Sequence, residues 1–134
     1  RAFAGYTLQS VRRKVGASMM RQIFVFGSNL AGIHGAGSAQ AAMRSHGAVY
    51  GQGVGVAGNS YAIPTKDSQI RTMRIDQIEP YVSEFLDFAR ANSGLQFNIV
   101  AIGCGLAGYT PKQIAPLFEG APANCNFIGN WNLV

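Results

Sequence analysis

Apolar residues fall in short unbroken runs along this chain, and glycine-rich stretches and helix-period segments separate them. Ile23-Phe24-Val25-Phe26 ends at Gly27, which predicts a strand buried on both faces. Tyr61-Ala62-Ile63 predicts a second strand, stopped by Pro64. Phe97 to Ile102 predicts a third, ended by Gly103-Cys104-Gly105, and Asn126-Phe127-Ile128 a last short one. Between them, Ser38 to Ser45 reads as a helix with Ala39, Ala42 and Met43 turned inward and Gly47 as its stop. Arg74 to Asn92 has the clearest helical period, with Ile75, Ile78, Val82, Phe85, Leu86 and Ala89 on one stripe. Pro80 within it predicts a kink, or a separate turn before the main helix. Thr110-Pro111-Lys112-Gln113 is a helix start, with a capping threonine, proline in the first turn and glutamine closing a capping box. That helix is expected to run to about Phe118. Gly51 to Gly58 holds four glycines in eight residues and predicts a mobile loop or a loose hairpin.

Strands alternating with helices, and apolar rather than alternating within themselves, predict an α/β fold: a mainly parallel sheet with helices on both faces. In such sheets ligands bind beyond the carboxyl ends of the strands. Three loops leave those ends, Gly27–Gly37, Pro64–Thr72 and Gly103–Thr110, and they should converge on one cleft.

Length and charge refine this picture. At 134 residues the chain accommodates one domain. Its net charge of +5 suggests nucleic-acid binding until it is located: Arg1, Arg12, Arg13, Lys14 and Arg21 carry the whole excess. The body of the domain is neutral, so nucleic acid is not the expected partner. Residues 1–19 read as a basic appendage ahead of a domain spanning 20–134. The pair Met19-Met20 suggests upstream sequence; the alternative is an interaction arm that pairs subunits, with Leu8, Val11 and Val15 on one face of a short helix from Tyr6 to Val15. No apolar run approaches the roughly 20 residues of a membrane span. Cys104 and Cys125 show neither metal-ligand nor disulfide spacing, which suggests a reduced, cytoplasmic protein.

The first loop, Gly27-Ser28-Asn29-Leu30-Ala31-Gly32-Ile33-His34-Gly35-Ala36-Gly37, opens directly into a helix. Glycines let backbone N–H groups approach an anion, and a helix amino terminus adds partial positive charge, so this is a phosphate cradle or a tight turn. It is neither a Walker loop nor a full dinucleotide fingerprint. Lys66, after Pro64-Thr65, is placed to meet an anion or a sugar carbon, unless it merely pairs with Asp67 at the surface. The third loop, Gly103-Cys104-Gly105-Leu106-Ala107-Gly108-Tyr109-Thr110, is a second anion site of the same kind. Tyr109 either stacks on a ligand or closes the loop over the core. Cys104 reads as a small buried thiol rather than a nucleophile. His34 lies where it could touch ligand, and His46 where it could cap a helix end. Two histidines without a carboxylate cluster give no metal site, and no cofactor is expected.

Taken together, the loops resemble the macrodomain family, in particular the branch that removes ADP-ribose from bases or acidic side chains. Asn29, Gly32, Gly35, Gly37 and Ala39 match its first motif in spacing. Pro64-Thr65-Lys66 matches its Pro-Thr-Lys, and Gly103-Cys104-Gly105 its late Gly-Cys-Gly. The chain also looks like compact macro-like proteins of bacteria and phages. The similarity covers roughly Met20 to Val134.

The resemblance implies a reduced three-layer α/β/α macrodomain-like sandwich that binds ADP-ribose or a related nucleotide. It would make Asn29 a contact to the distal ribose and the glycines a diphosphate cradle. Ser28, Gly32, His34, Gly35, Gly37, Thr65, Gly103, Cys104, Gly105, Ala107, Gly108 and Tyr109 would complete the site. Lys66 would lie near the anomeric carbon, with Asp67 as the proton-handling group. Two departures stand out. Some active members carry an aspartate where this chain has Ala107, and the aspartate that reads adenine has no counterpart here. Loss of the first removes the obvious general base. The expectations are therefore a nucleotide-binding module, an ADP-ribosyl hydrolase of the glycohydrolase type, or an assembly protein using residues 1–19 to form homo-oligomers.

Overall fold

The computed structural model describes residues 20–131. The basic appendage, the Tyr6–Val15 helix and oligomerisation through residues 1–19 lie outside them. The elements are β1 (Gln22–Asn29), α1 (Gly37–Ser45), β2 (Gly55–Ala57), β3 (Ser60–Lys66), α2 (Ile75–Ala91), β4 (Gln96–Ile99), α3 (Pro111–Ile114), a 3-10 turn (Ala115–Phe118) and β5 (Cys125–Phe127). The sheet has five strands in the order β2-β3-β1-β4-β5. β1 pairs in parallel with β3 and with β4, and β4 in parallel with β5. Only β2 runs antiparallel, joined to β3 by the two-residue turn Gly58-Asn59, with Gly58 at φ 57°. The glycine-rich 51–58 segment thus holds the loose hairpin, and the fold is α/β with a mixed, mostly parallel sheet.

Period-two alternation on β1 sorts the core into two layers. Ile23 and Val25 pack with Tyr61, Ile63, Phe97 and Ile99 against the α2 stripe of Ile78, Val82, Phe85, Leu86 and Ala89, together with Ile114 and Phe118. Phe26 points the other way and joins Ala62, Ala39, Ala42 and Ala48. Helices therefore cover both faces, as the apolar runs predicted.

Several expectations need correction. Met43 is 38% exposed: α1 sits on the sheet through two alanines, and a stripe that narrow leaves Met43 outside it. β1 continues past Gly27 to Asn29, so the first loop starts later than its glycine suggested. β4 ends at Ile99, although Val100 N–H still bonds to the Val25 carbonyl at 3.1 Å. β3 runs through Pro64 to Lys66. Proline is tolerated because β2 pairs only with Ser60–Ala62, leaving one side of β3 free there, and because the β1 register shifts between Ser28 and Asn29. α2 is one helix with Pro80 inside it, so of the two expectations for this proline the separate turn is overturned; burial of the stripe outweighs the lost hydrogen bond. His46 does not cap carbonyls with its ring. It stacks on Phe24 at 4.3 Å between centroids, and its backbone N–H bonds to the Ala42 carbonyl.

Both sheet edges are three residues long. Among the described residues, no helix is long and apolar enough to cross a membrane. The last helix begins as its sequence predicted: Gln113 Oε1 accepts the Thr110 N–H at 2.9 Å. It makes one α turn before tightening into the 3-10 turn.

Tyr61 supplies a test of this core. Its ring packs edge-on to Phe85 at 5.0 Å. Burial, and then the Glu84 carboxylate, push its hydroxyl up to about 12. The unfolded phenol ionises near 10, so this contribution is intact below pH ~10 and lost as pH rises toward 12. Denaturant titrations should show stability falling by on the order of 2 kcal/mol across that window. Burial raises the Cys125 thiol to about 11, so the comparison with Tyr61→Phe isolates the phenol. An unchanged slope in that variant would remove Tyr61 from the effect.

Candidate functional site

β1 is followed by α1 on one face of the sheet, whereas the chain leaving β4 turns to α3 on the other. The loops peel apart at the carboxyl ends of neighbouring parallel strands, where strand order reverses, and leave a crevice there. A cleft of about 430 Å³ occupies it, within the range of small-ligand sites. The three loops do converge. Gly27, Ser28 and Asn29 end β1, Thr65 and Lys66 end β3, and Ala101 to Gly103 with Gly105 to Ala107 follow β4. Gly35 to Ala39 complete the wall from the start of α1.

Most polar side chains in this cleft are already engaged. Asn29 Nδ2 donates to the Ile33 carbonyl at 2.8 Å, and its Oδ1 accepts the Ile33 N–H at 2.9 Å. Its amide therefore ties down the first loop, with one Nδ2 hydrogen and one Oδ1 lone pair left over. The Ser28 hydroxyl donates to the Gly53 carbonyl, and Thr65 Oγ1 donates to the Ser28 carbonyl at 3.4 Å. Among the described residues, Lys66 is the only charged one lining the cleft. Its ammonium makes no ion pair or hydrogen bond among the described residues, and Asp67 does not hold it.

Asp67 turns away. Its Oδ1 accepts the N–H groups of Gln69 and Arg71, each at 2.9 Å, and its Oδ2 lies 3.5 Å from Arg71 Nε. The Arg71 N–H bond, followed by the lesser contributions of Gln69 and the Arg71 guanidinium, holds this carboxyl below its usual range. It lies outside the cleft lining and is a weak base closing its own turn, unlike the proton-handling group anticipated.

Other predicted site residues make contacts within the framework. His34 is buried beside Phe26, and its Nε2 lies 3.0 Å from both the Val49 and Gln52 carbonyls. Carbonyls only accept, so Nε2 carries the proton. Nδ1 is buried without a partner among the described residues, and the ring lies outside the cleft lining. The Tyr109 hydroxyl donates to the Met73 carbonyl, so its ring closes the third loop over the core. Cys104 Sγ donates to the Ile102 carbonyl at 3.4 Å, and burial raises its thiol. Gly32 and Gly108, at φ 72° and 90°, shape the loops from outside the lining. Among the described residues no cluster of three His, Cys, Asp or Glu could hold a metal.

The open groups are main-chain ones. No side chain caps the amino terminus of α1, and Ala36 to Ala39 face the cleft. A helix leaves its first amides without internal partners and places partial positive charge there. Around the mouth stand Ile33, Ile70 and Leu106, which are 43%, 40% and 77% exposed. Sequence reasoning did not single these out. Ile33 and Leu106 are bulky apolar residues set within glycine-rich loops, a signal that could have marked them; Ile70 gave none. The cleft thus has a polar main-chain floor, one lysine and an apolar rim.

Comparison with protein-family models, with curated proteins and with solved structures gives no match for this chain.

Two glycines separate framework from cleft. A Cβ on Gly32 would lie 2.2 Å from the Gly51 backbone, whereas one on Gly35 meets nothing within 4 Å. Gly32→Ala should lower stability by about 2 kcal/mol or more, through the clash and the strained backbone. Gly35→Ala should stay within about 0.5 kcal/mol of the parent. Thermal or urea melts of the two variants check this, and equal losses would contradict the assignment.

Proposed function

We propose that the cleft binds ADP-ribose or a related nucleotide diphosphate, with the diphosphate on the glycine loops and the α1 amino terminus. The observation that carries this reading is the charge pattern. Among the described residues, Lys66 is the only ionisable group lining a crevice otherwise walled by main chain and by small polar and apolar side chains. Such a floor suits an anion. The apolar rim suits the nucleoside end of an amphipathic ligand, so floor and rim favour a nucleotide over a free phosphate. Convergence of the three motifs that resemble the macrodomain family supports the same ligand.

Binding without turnover is the reading we favour. Among the described residues no carboxylate lines the cleft, and Asp67 has its oxygens engaged in its own turn. A water attacking the anomeric carbon would find no general base. Lys66 then serves as an anion contact.

Calorimetric titration of ADP-ribose tests this, run beside an assay for release of ADP-ribose from a modified target. Saturable binding without release is expected. Lys66→Ala should weaken binding about tenfold or more, because a charge-assisted phosphate contact is lost. Absence of binding at millimolar ligand would refute the nucleotide reading. Release that depends on Lys66 would replace the binding module with a hydrolase.

A further inference from the structure

Ile70 is where the local rules of folding are broken. It is the only non-glycine residue with positive φ among the described residues, at 63°. A β-branched side chain is strained there, and glycine or asparagine is the ordinary occupant. Ile70 contributes nothing to the buried core and is 40% exposed. Two unfavourable choices, a strained backbone and an apolar side chain in water, coincide at one position. That position lines the cleft.

The surrounding turn is built to hold it there. Lys66 and Thr72 bridge its base, and Asp67 N–H donates to the Arg71 carbonyl at 2.8 Å. Ile70 N–H donates to the Asp67 carbonyl at 3.1 Å, and the Asp67 carboxylate accepts from Gln69 and Arg71 across the same turn. Thr72 Oγ1 donates to the Ala107 carbonyl at 3.0 Å, fixing the turn to the third loop beside Leu106. Asp67 therefore acts as a positioning residue for Ile70.

We infer that Ile70 is an affinity-determining clamp: with Ile33 and Leu106 it forms an apolar subsite for the uncharged nucleoside part of the ligand. This inference rests on the nucleotide reading of the cleft and adds the division of labour within it. Main chain and Lys66 hold the anion, and the rim holds the ring system. Strain persists at ligand clamps when the surrounding structure over-determines it, and five hydrogen bonds and a strand bridge do so here. The rim offers only aliphatic carbon to a base, so the subsite grips a ring face without reading its polar edge.

Ile70→Asn separates the two ends of the ligand, because asparagine tolerates the backbone and lacks the apolar surface. Ile70→Gly serves as a second variant relieving the same strain. Parent and variants are titrated with ADP-ribose and with inorganic pyrophosphate, and melted by circular dichroism. We expect the Asn variant to melt at or above the parent temperature, with ADP-ribose affinity about tenfold lower and pyrophosphate affinity unchanged. Parental ADP-ribose affinity in both variants overturns the clamp and leaves the nucleotide reading standing. Equal losses for ADP-ribose and pyrophosphate overturn it too, since Ile70 would then shape the anion floor. A parent that binds neither probe refutes the nucleotide reading itself, and the clamp with it.

Discussion

Parallel pairing on both sides of β1 is the constraint from which the rest of the architecture follows. A strand flanked by β3 and β4 is buried on both faces, so its residues must be apolar toward each helix layer, and Ile23 to Phe26 are. Parallel neighbours also require each connection to cross over a face of the sheet. The crossover through α1 takes one face and that through α2 takes the other. The loops after β1 and β4 therefore diverge, and the crevice between them is a by-product of connectivity before any residue is chosen for binding.

Within that crevice, backbone geometry and side-chain chemistry have separate tasks. Asn29, Ser28, Thr65 and Tyr109 all look like ligand contacts in sequence, yet each donates to a carbonyl that fixes a loop. Their contribution is to hold the loops around the crevice in one arrangement. What faces the crevice is mostly peptide group, one lysine and aliphatic rim. Polar residues near a site are not all in it, and their hydrogen-bond partners tell the two kinds apart.

The sequence made the strands, the long helix and the convergence of three loops legible, because periodicity and glycine placement respond to burial and to backbone shape. Side-chain destinations were much less so. Met43 obeyed the helical period but lay beyond a contact stripe only two alanines wide. Pro64 looked like a strand end, but nothing pairs with its free side once β2 has stopped. His34 sat in the right loop with its ring directed into the framework, a choice settled by the distant carbonyls of Val49 and Gln52. Asp67 followed a lysine in sequence but turned to Gln69 and Arg71. Each miss involves a partner that adjacency along the chain does not disclose. Ile70 was hidden for a different reason: its residue type gives no cause to expect its backbone angle.

The two short edges bear on how this sheet coexists with other chains. An exposed strand is a template for foreign backbone, and its hazard grows with the unpaired groups it presents. β2 presents three residues, begins at a glycine with φ 89° and ends in a tight turn. β5 presents three, and beyond it the Trp131 ring packs edge-on to both Phe118 and Phe127. An incoming strand would gain very few hydrogen bonds at either border before meeting a bend or an aromatic cluster. A largely parallel sheet, slow to form and adhesive while unfinished, is in this way protected from edge-to-edge aggregation once it closes.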